Sequence, residues 1–309
     1  LDRYVMAVIP ALLLLAGVGL RWLIAGLAGF LGQKLAWAKL TPLLAAAVIA
    51  LPAWFTVANY PYVLTYYNPL LGGFARAVEQ VPVGWGEGME QAAAWLNARP
   101  DAANLRVSAW YSDMIRPYLR AQTVSFSSSG KGQLAADYVI FYINQTQRQN
   151  PSPALINYFS HTEPAFHVDY RGTPYVWVYR APAMQPVSGS PKIEGRAQLL
   201  GYRWAADAPQ HPGDSVDLTL FMSTLGQLPN NETFDILLAG PDGSLWGSWL
   251  PDKANAWQTD AILEWRGSLT LPPEIPAGEY NLVIRLIDTN IQSEVTRFGL
   301  DEPVIIPLR

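Results

Sequence analysis

The sequence predicts a membrane helical hairpin (two transmembrane helices), followed by a small α/β domain and a C-terminal immunoglobulin-like β-sandwich. Three observations predict it. Between Tyr4 and Val78 there is no Asp or Glu, although acids crowd the rest of the chain. Through the middle, helical and strand-like patterns alternate, as in layered α/β domains. Beyond about residue 191 helical periodicity disappears, and short strand-like runs separated by turn signals take over.

The totals set outer bounds. With 309 residues the chain has room for two or three domains. Charged residues make up only 15%, against about 25% in ordinary globular chains, and the acid-free front accounts for the deficit. A net charge of −4 offers no basic surface for nucleic acid. The absence of cysteine excludes disulfides, thiolate metal sites and a cysteine nucleophile. The first residue is Leu1, set almost directly against an apolar run, so an upstream portion of the protein is expected to be missing.

The predicted spans occupy about 4–24 and 40–58 within a membrane segment 1–59. Tyr4–Leu20 is an unbroken apolar run, about 25 Å long as a helix against a hydrocarbon core of about 30 Å. A cleavable signal peptide competes for it, but that would need a basic start and a shorter core, whereas Asp2 and Arg3 cancel and a second apolar run follows. In the second run Pro42 suits a helix start, and Pro52 should kink the interior. The connector carries Arg21, Lys34 and Lys39 without acids. That places it in the cytoplasm and everything after Ala58 on the extracytoplasmic side of the cell membrane. Residues 60–88 (YPYVLTYYNPLLGGFARAVEQVPVGWGEG) form a connecting stretch rich in Tyr and Gly, and aromatic rings with polar edges favour the bilayer–water boundary.

The α/β domain is predicted over 75–184. Glu87–Ala98 reads as a helix with Glu87 and Glu90 near its positive end. Arg106–Trp110 and Thr123–Phe126 read as strands, with a helix at Ser112–Leu119 between them. Tyr138–Ile143 (YVIFYI) is a continuous run suited to a strand buried on both faces. Ala154–Phe159 is helical, and Phe166–Tyr170 pairs with Tyr175–Arg180 across a Gly-Thr-Pro turn. Gln185–Pro191 has linker composition. The sandwich is predicted over 192–309, with strands near Ala197–Trp204, Ser215–Ser223, Thr233–Ala239, Leu245–Leu250, Ala261–Leu271, Gly278–Asp288 and Val295–Leu300. In the sixth run Tyr280, Leu282, Ile284 and Leu286 alternate inward.

Few constellations promise chemistry. Gly84-Trp85-Gly86-Glu87-Gly88 before a helix has glycines, but at the wrong spacing for a dinucleotide loop, so a helix-entry turn is the better reading. Ser128-Ser129-Gly130-Lys131 matches a serine–lysine nucleophile pattern without its companion motifs and reads as a loop. His161, His167 and His211 lie in different elements, so no metal site is expected. Trp204, Trp246, Trp249, Trp257 and Trp265 form either a sugar-stacking face or part of the core, since alternation turns several inward. At the membrane edge, an arginine beside a tyrosine at Arg3 and Tyr4 suits either a lipid-linked phosphate or an ordinary interfacial anchor.

Two stretches carry a family resemblance. Asp2-Arg3-Tyr4-Val5-Met6-Ala7-Val8-Ile9-Pro10-Ala11, ahead of a leucine-rich run, resembles the late RY-L-x-P-x-x-P-A-L helix of family 39, or protein-mannosyltransferase-like, membrane glycosyltransferases of the GT-C class. Pro10 matches the second proline of that pattern, whereas Ala7 stands where a proline is common. YPYVLTYYNPLLGG…VGWGEGMEQAAAWLN is similar to the segment that follows the last membrane helices in bacterial members with large exported tails. The resemblance implies transfer of a sugar from a polyprenyl-phosphate carrier to a glycan or protein acceptor outside the membrane; no cofactor is evident in the sequence beside that lipid-linked donor. Membrane lipid is the surround it implies. It puts Arg3 and Tyr4 near the carrier phosphate, and the catalytic carboxylate in an exported loop upstream of Leu1. Tyr62, Tyr66, Tyr67, Asn68, Trp85 and Glu87 are the candidate interfacial or acceptor-side residues. The rival expectation is a membrane-anchored surface module that binds carbohydrate or protein without catalysis.

Overall fold

The computed structural model describes residues 9–31, 37–124, 126–193, 195–204, 211–251, 257–298, 300 and 305–308. Two units emerge, Leu1–Arg76 and Ala77–Arg309.

The first unit carries helices α1 (Ile9–Leu31) and α2 (Trp37–Ala58). The expectation of a transmembrane hairpin needs correction here. Among the described residues no single helix is long and apolar enough to cross a membrane, and the apolar helical run in the front is the shorter Pro10–Leu23. At 1.5 Å per residue that run covers about 21 Å, well short of a hydrocarbon core of about 30 Å. In the second region only a bent pair passes the same criteria, Ala46–Ala58 with Val63–Leu71, broken by 107°. The break has a local cause. The buried Asn59 turns its side-chain amide back to the Phe55 carbonyl at 2.6 Å. Pro61 then follows and cannot supply the N–H that a continuing helix requires. Two 3-10 turns, Val63–Thr65 and Pro69–Leu71, replace the helix, and α3 (Gly73–Gln80) begins after them.

The second unit opens with α4 (Met89–Asn97), followed by β1 (Arg106–Ala109), α5 (Ser112–Ile115), β2 (Gln122–Val124), α6 (Lys131–Leu134) and β3 (Tyr138–Tyr142). Then come α7 (Ile143–Gln147), α8 (Pro153–Ser160), β4 (Phe166–Tyr170) and β5 (Thr173–Arg180). Their sheet has the order β2-β1-β3-β5-β4. Strands β2, β1 and β3 run parallel, and β5 and β4 are antiparallel additions. Every residue of β3 is buried, as a central strand covered on both faces requires.

The remaining strands build a sandwich. One sheet has the order β12-β9-β8-β6 with β7 also on β8; the other is β11-β10-β13-β14 with β15 also on β13. These strands are β6 (Gln185–Pro186), β7 (Lys192–Ile193), β8 (Ala197–Trp204), β9 (Ser215–Thr224), β10 (Glu232–Ala239), β11 (Leu245–Trp249), β12 (Ile262–Thr270), β13 (Gly278–Asp288), β14 (Ser293–Arg297) and β15 (Ile305–Leu308). Inward residues of both sheets share one core: Leu218, Leu220 and Leu269 meet Phe234, Ile236 and Ile284. Trp265 lies in this core, and Trp204, Trp246, Trp249 and Trp257, each partly exposed, pack against it.

Gln185–Pro191 is not a free linker. Gln185 and Pro186 pair with β8 as a sheet edge, a position that tolerates proline. A second hydrophobic cluster runs from Leu134, Leu155, Phe159 and Tyr179 of the α/β layer into Met184, Leu200 and Phe221 of the sandwich side. Lys131 Nζ donates to the Val187 carbonyl at 2.7 Å and also to the Gly189 carbonyl. The serine–lysine motif therefore ends in a clamp on the connecting segment. Layer and sandwich are packed into one body.

Phe221 is fully buried where the two parts meet. Phe221→Ala is expected to destabilise the second unit by about 3–5 kcal/mol. It should also separate the melting of the α/β layer from that of the sandwich in calorimetry of the full chain. An unchanged single transition would show that layer and sandwich stay coupled without the Phe221 ring.

Candidate functional site

The predicted site residues fall into three groups. Arg3 and Tyr4 lie outside the described residues. Tyr62, Tyr66, Tyr67 and Asn68 belong to the first unit, and Trp85 and Glu87 to the second.

In the first unit the group shapes the turn after α2. Asn68 caps the second 3-10 turn, accepting from the Leu70 N–H at 3.0 Å. The Thr65 hydroxyl donates to the Tyr62 carbonyl at 2.5 Å. The Tyr66 ring lies 4.8 Å from that of Phe55, and the Tyr67 ring 6.3 Å from that of Phe74. Tyr66 and Phe55, with Leu51, Pro52, Thr56 and Val63, line a concavity of about 410 Å³ inside the elbow. Its lining is mainly apolar and holds no charged group, so it suits hydrocarbon better than a polar substrate.

In the second unit Trp85 and Glu87 sit on a turn fastened to the end of β3. Strand β1 lies between β2 on one side and β3 on the other. The strand ends at such a change of direction form a crevice where open α/β sheets commonly bind ligands. Tyr111, just past β1, donates its hydroxyl to Asn144 Oδ1, just past β3, at 2.9 Å. The Tyr142 hydroxyl, at the last position of β3, donates to Glu87 Oε2 at 2.7 Å and accepts from the Gly86 N–H at 2.9 Å. The same carboxylate oxygen accepts from the Trp85 N–H at 2.6 Å. Glu87 is only 8% exposed, and its Oε1 is buried with no hydrogen-bond partner among the described residues. Trp85 stands out at 63% exposed, with the exposed Met114 and Trp110 on the segment after β1.

The glycines fix this turn. Gly84 has φ +101°, and a Cβ there would meet the Tyr142 hydroxyl at 2.5 Å; Gly88 has φ +84°, and its Cβ would meet Val168 at 2.9 Å. They permit close packing against side chains rather than an opening for a phosphate. The Trp85 amide that could have faced an anion is already occupied by Glu87, whose charge repels one. The arrangement offers an exposed indole on a turn whose carboxylate is turned inward, out of reach of a bound group. Its chemistry suits stacking against a ring face better than binding of a nucleotide.

Among the described residues no group of three or more His, Cys, Asp or Glu is placed to hold a metal. His167 pairs with Asp169 at 3.1 Å, and His161 contacts its own helix at the Asn157 carbonyl. Sequence reasoning missed Tyr142 and Tyr111. A tyrosine closing the apolar run YVIFY was the available signal, since a buried phenol needs a partner.

No protein-family model matches the chain, and no curated protein matches it. Among solved structures, a Niemann-Pick type C2 protein from the Japanese carpenter ant aligns at 6% identity over 41% of this chain and 98% of its own, with a TM-score of 0.28. A carbohydrate binding module of the muscle glycogen-targeting subunit of protein phosphatase-1 aligns at 8% identity over 47% and 99%, with a TM-score of 0.23. The CARDB domain of the PF1109 protein from Pyrococcus furiosus aligns at 10% identity over 40% and 93%, with a TM-score of 0.22. At these scores the likenesses decide neither fold nor function.

Burial, reinforced by the bond to Glu87, pushes the Tyr142 phenol far above its ordinary value, and burial with Glu264 does the same to Tyr158. Above about pH 10 the unfolded chain loses protons that these folded tyrosines keep. Stability is therefore complete below that pH and is expected to fall by about 1.4 kcal/mol per pH unit for each retained proton. Tyr142→Phe should reduce that slope by one proton in urea titrations at alkaline pH, and an unaltered slope would show that Tyr142 titrates normally.

Proposed function

We propose that this chain is the C-terminal part of a membrane-associated glycosyltransferase that moves a sugar from a polyprenyl-phosphate carrier to an extracytoplasmic glycan or protein acceptor. The observation that carries the reading is the apolar front. Leu13, Leu14, Leu15, Trp22 and Leu23 on α1, and Ile49, Trp54 and Val57 on α2, are all more than half exposed. So much exposed apolar surface calls for an apolar surround, where a lipid-carried donor would also reside. The resemblance of residues 2–11 and 60–97 to the family 39 pattern supplies the reaction class.

In this reading the second unit works on the acceptor side. Trp85 offers a ring to stack on, and Glu87 and Tyr142 hold the turn that carries it in place. The resemblance assigns Arg3 and Tyr4 to the carrier phosphate. A second reading, a membrane-associated binding module without catalysis, draws support from the rigid union of α/β layer and sandwich across Phe221.

The test uses the protein with its upstream portion, in membranes supplied with a polyprenyl-phosphate sugar. Arg3→Ala is expected to reduce transfer by at least about tenfold, the loss of one charge-assisted phosphate contact. Trp85→Ala is expected to raise KM for the acceptor with kcat held. Wild-type membranes that bind acceptor and transfer nothing would favour the second reading.

A further inference from the structure

The outward face of the sheet containing β8, β9 and β12 carries a cluster that the transfer reading does not use. Arg203 lies opposite Thr219, and Thr219 opposite Arg266, so three strands contribute one row. Adjacent strands are about 4.8 Å apart, which sets the two arginines about 10 Å apart at the backbone. Asp217 and Ser268 face each other in the next row. These residues line a concavity of about 440 Å³, within the usual range of small-ligand sites. On the other side, Phe221 and Glu264 lie opposite each other, and Phe221 is covered by the α/β layer.

The arginines are held in place before any ligand arrives. Arg203 donates to the Pro182 carbonyl at 2.9 Å and to Glu264 Oε1 at 3.5 Å. Arg266 donates to the same Glu264 oxygen through Nε at 3.0 Å and Nη2 at 2.8 Å. The other carboxylate oxygen accepts from the Tyr158 hydroxyl at 3.1 Å. Two guanidinium charges thus share one carboxylate, which leaves a surplus positive charge and unspent donors along this row. One row away, the side chains of Asp217 and Ser268 make no hydrogen bond among the described residues. The groove is electrically polar along its length, positive at the arginines and negative at Asp217.

We propose that this groove binds an acidic saccharide, a sugar ring bearing a carboxylate. The planar carboxylate matches the guanidinium edges, and the ring hydroxyls supply the donors that Asp217 accepts and the partner that Ser268 needs. A neutral sugar leaves the free guanidinium donors of that row without an anionic partner. A small inorganic anion leaves Asp217 unused and is repelled by it.

Calorimetric titration of the full chain in detergent tests the site with a short oligogalacturonate, a malto-oligosaccharide of the same length, and sulfate. Oligogalacturonate should bind at least about tenfold more tightly than either of the others. Arg266→Ala, at a side chain that is 72% exposed, should cost at least about tenfold, as loss of a charge-assisted bond predicts. Asp217→Asn should weaken oligogalacturonate and leave sulfate no weaker, and both variants should keep the wild-type melting temperature. Should Arg266→Ala fail to fold, Asp217→Asn alone decides. No binding of oligogalacturonate, equal binding of the neutral sugar or of sulfate, or insensitivity to the substitutions would overturn the assignment. None of these outcomes bears on sugar transfer, since the groove and the Trp85 turn share no residue.

Discussion

The ring of Phe221 is the contact on which the second unit depends. It projects from the outward face of a sandwich sheet, where an exposed position would ordinarily carry a polar side chain. There it joins Leu200 and Met184 in a core completed by Leu134, Leu155 and Phe159 of the α/β layer. An apolar ring of this size at a surface position would be a liability in an independent sandwich. Buried against the layer, it makes the two parts one packed object. The polar pairs around the junction follow from that packing. Tyr158 reaches Glu264, Arg203 reaches Pro182, and Lys131 reaches Val187 and Gly189 because the hydrophobic contact has already brought their backbones together.

The Trp85 turn shows a similar hierarchy at smaller scale. Two left-handed glycines press it against Tyr142 and Val168, and the phenol then fixes the carboxylate. The exposed indole stands on a rigid base, at strand ends where a bound group would meet side chains from three elements. Rigidity there costs a buried oxygen without a partner, an expense of the kind concentrated at functional positions.

What was legible in the sequence followed local period. Tyr280, Leu282, Ile284 and Leu286 alternate in the chain and are buried in the structure. The run Tyr138–Tyr142 is apolar throughout and buried throughout. What was not legible required knowing which distant segments meet. Glu87 and Tyr142 are 55 positions apart, and no periodicity reports such a pairing. The Ser-Gly-Lys and Gln-Pro-Val segments each look like free loop in isolation, and each proves to be the other's partner. The apolar front misled for a different reason. Composition counts leucines but does not register where Asn59 and Pro61 break a helix, and here the break bends the bent pair by 107°.

Gln147 adds a mechanical consequence. Its side chain donates to the Val78 carbonyl at 2.7 Å and to the Val81 carbonyl at 3.2 Å, and accepts from the Val83 N–H at 2.8 Å. The segment by which the chain enters the second unit is thereby riveted to the helix directly following the central strand β3. A tug along the chain from its N-terminal side is received at the middle of the sheet, where several hydrogen bonds must shear at once. An edge strand under the same load would peel away one bond at a time.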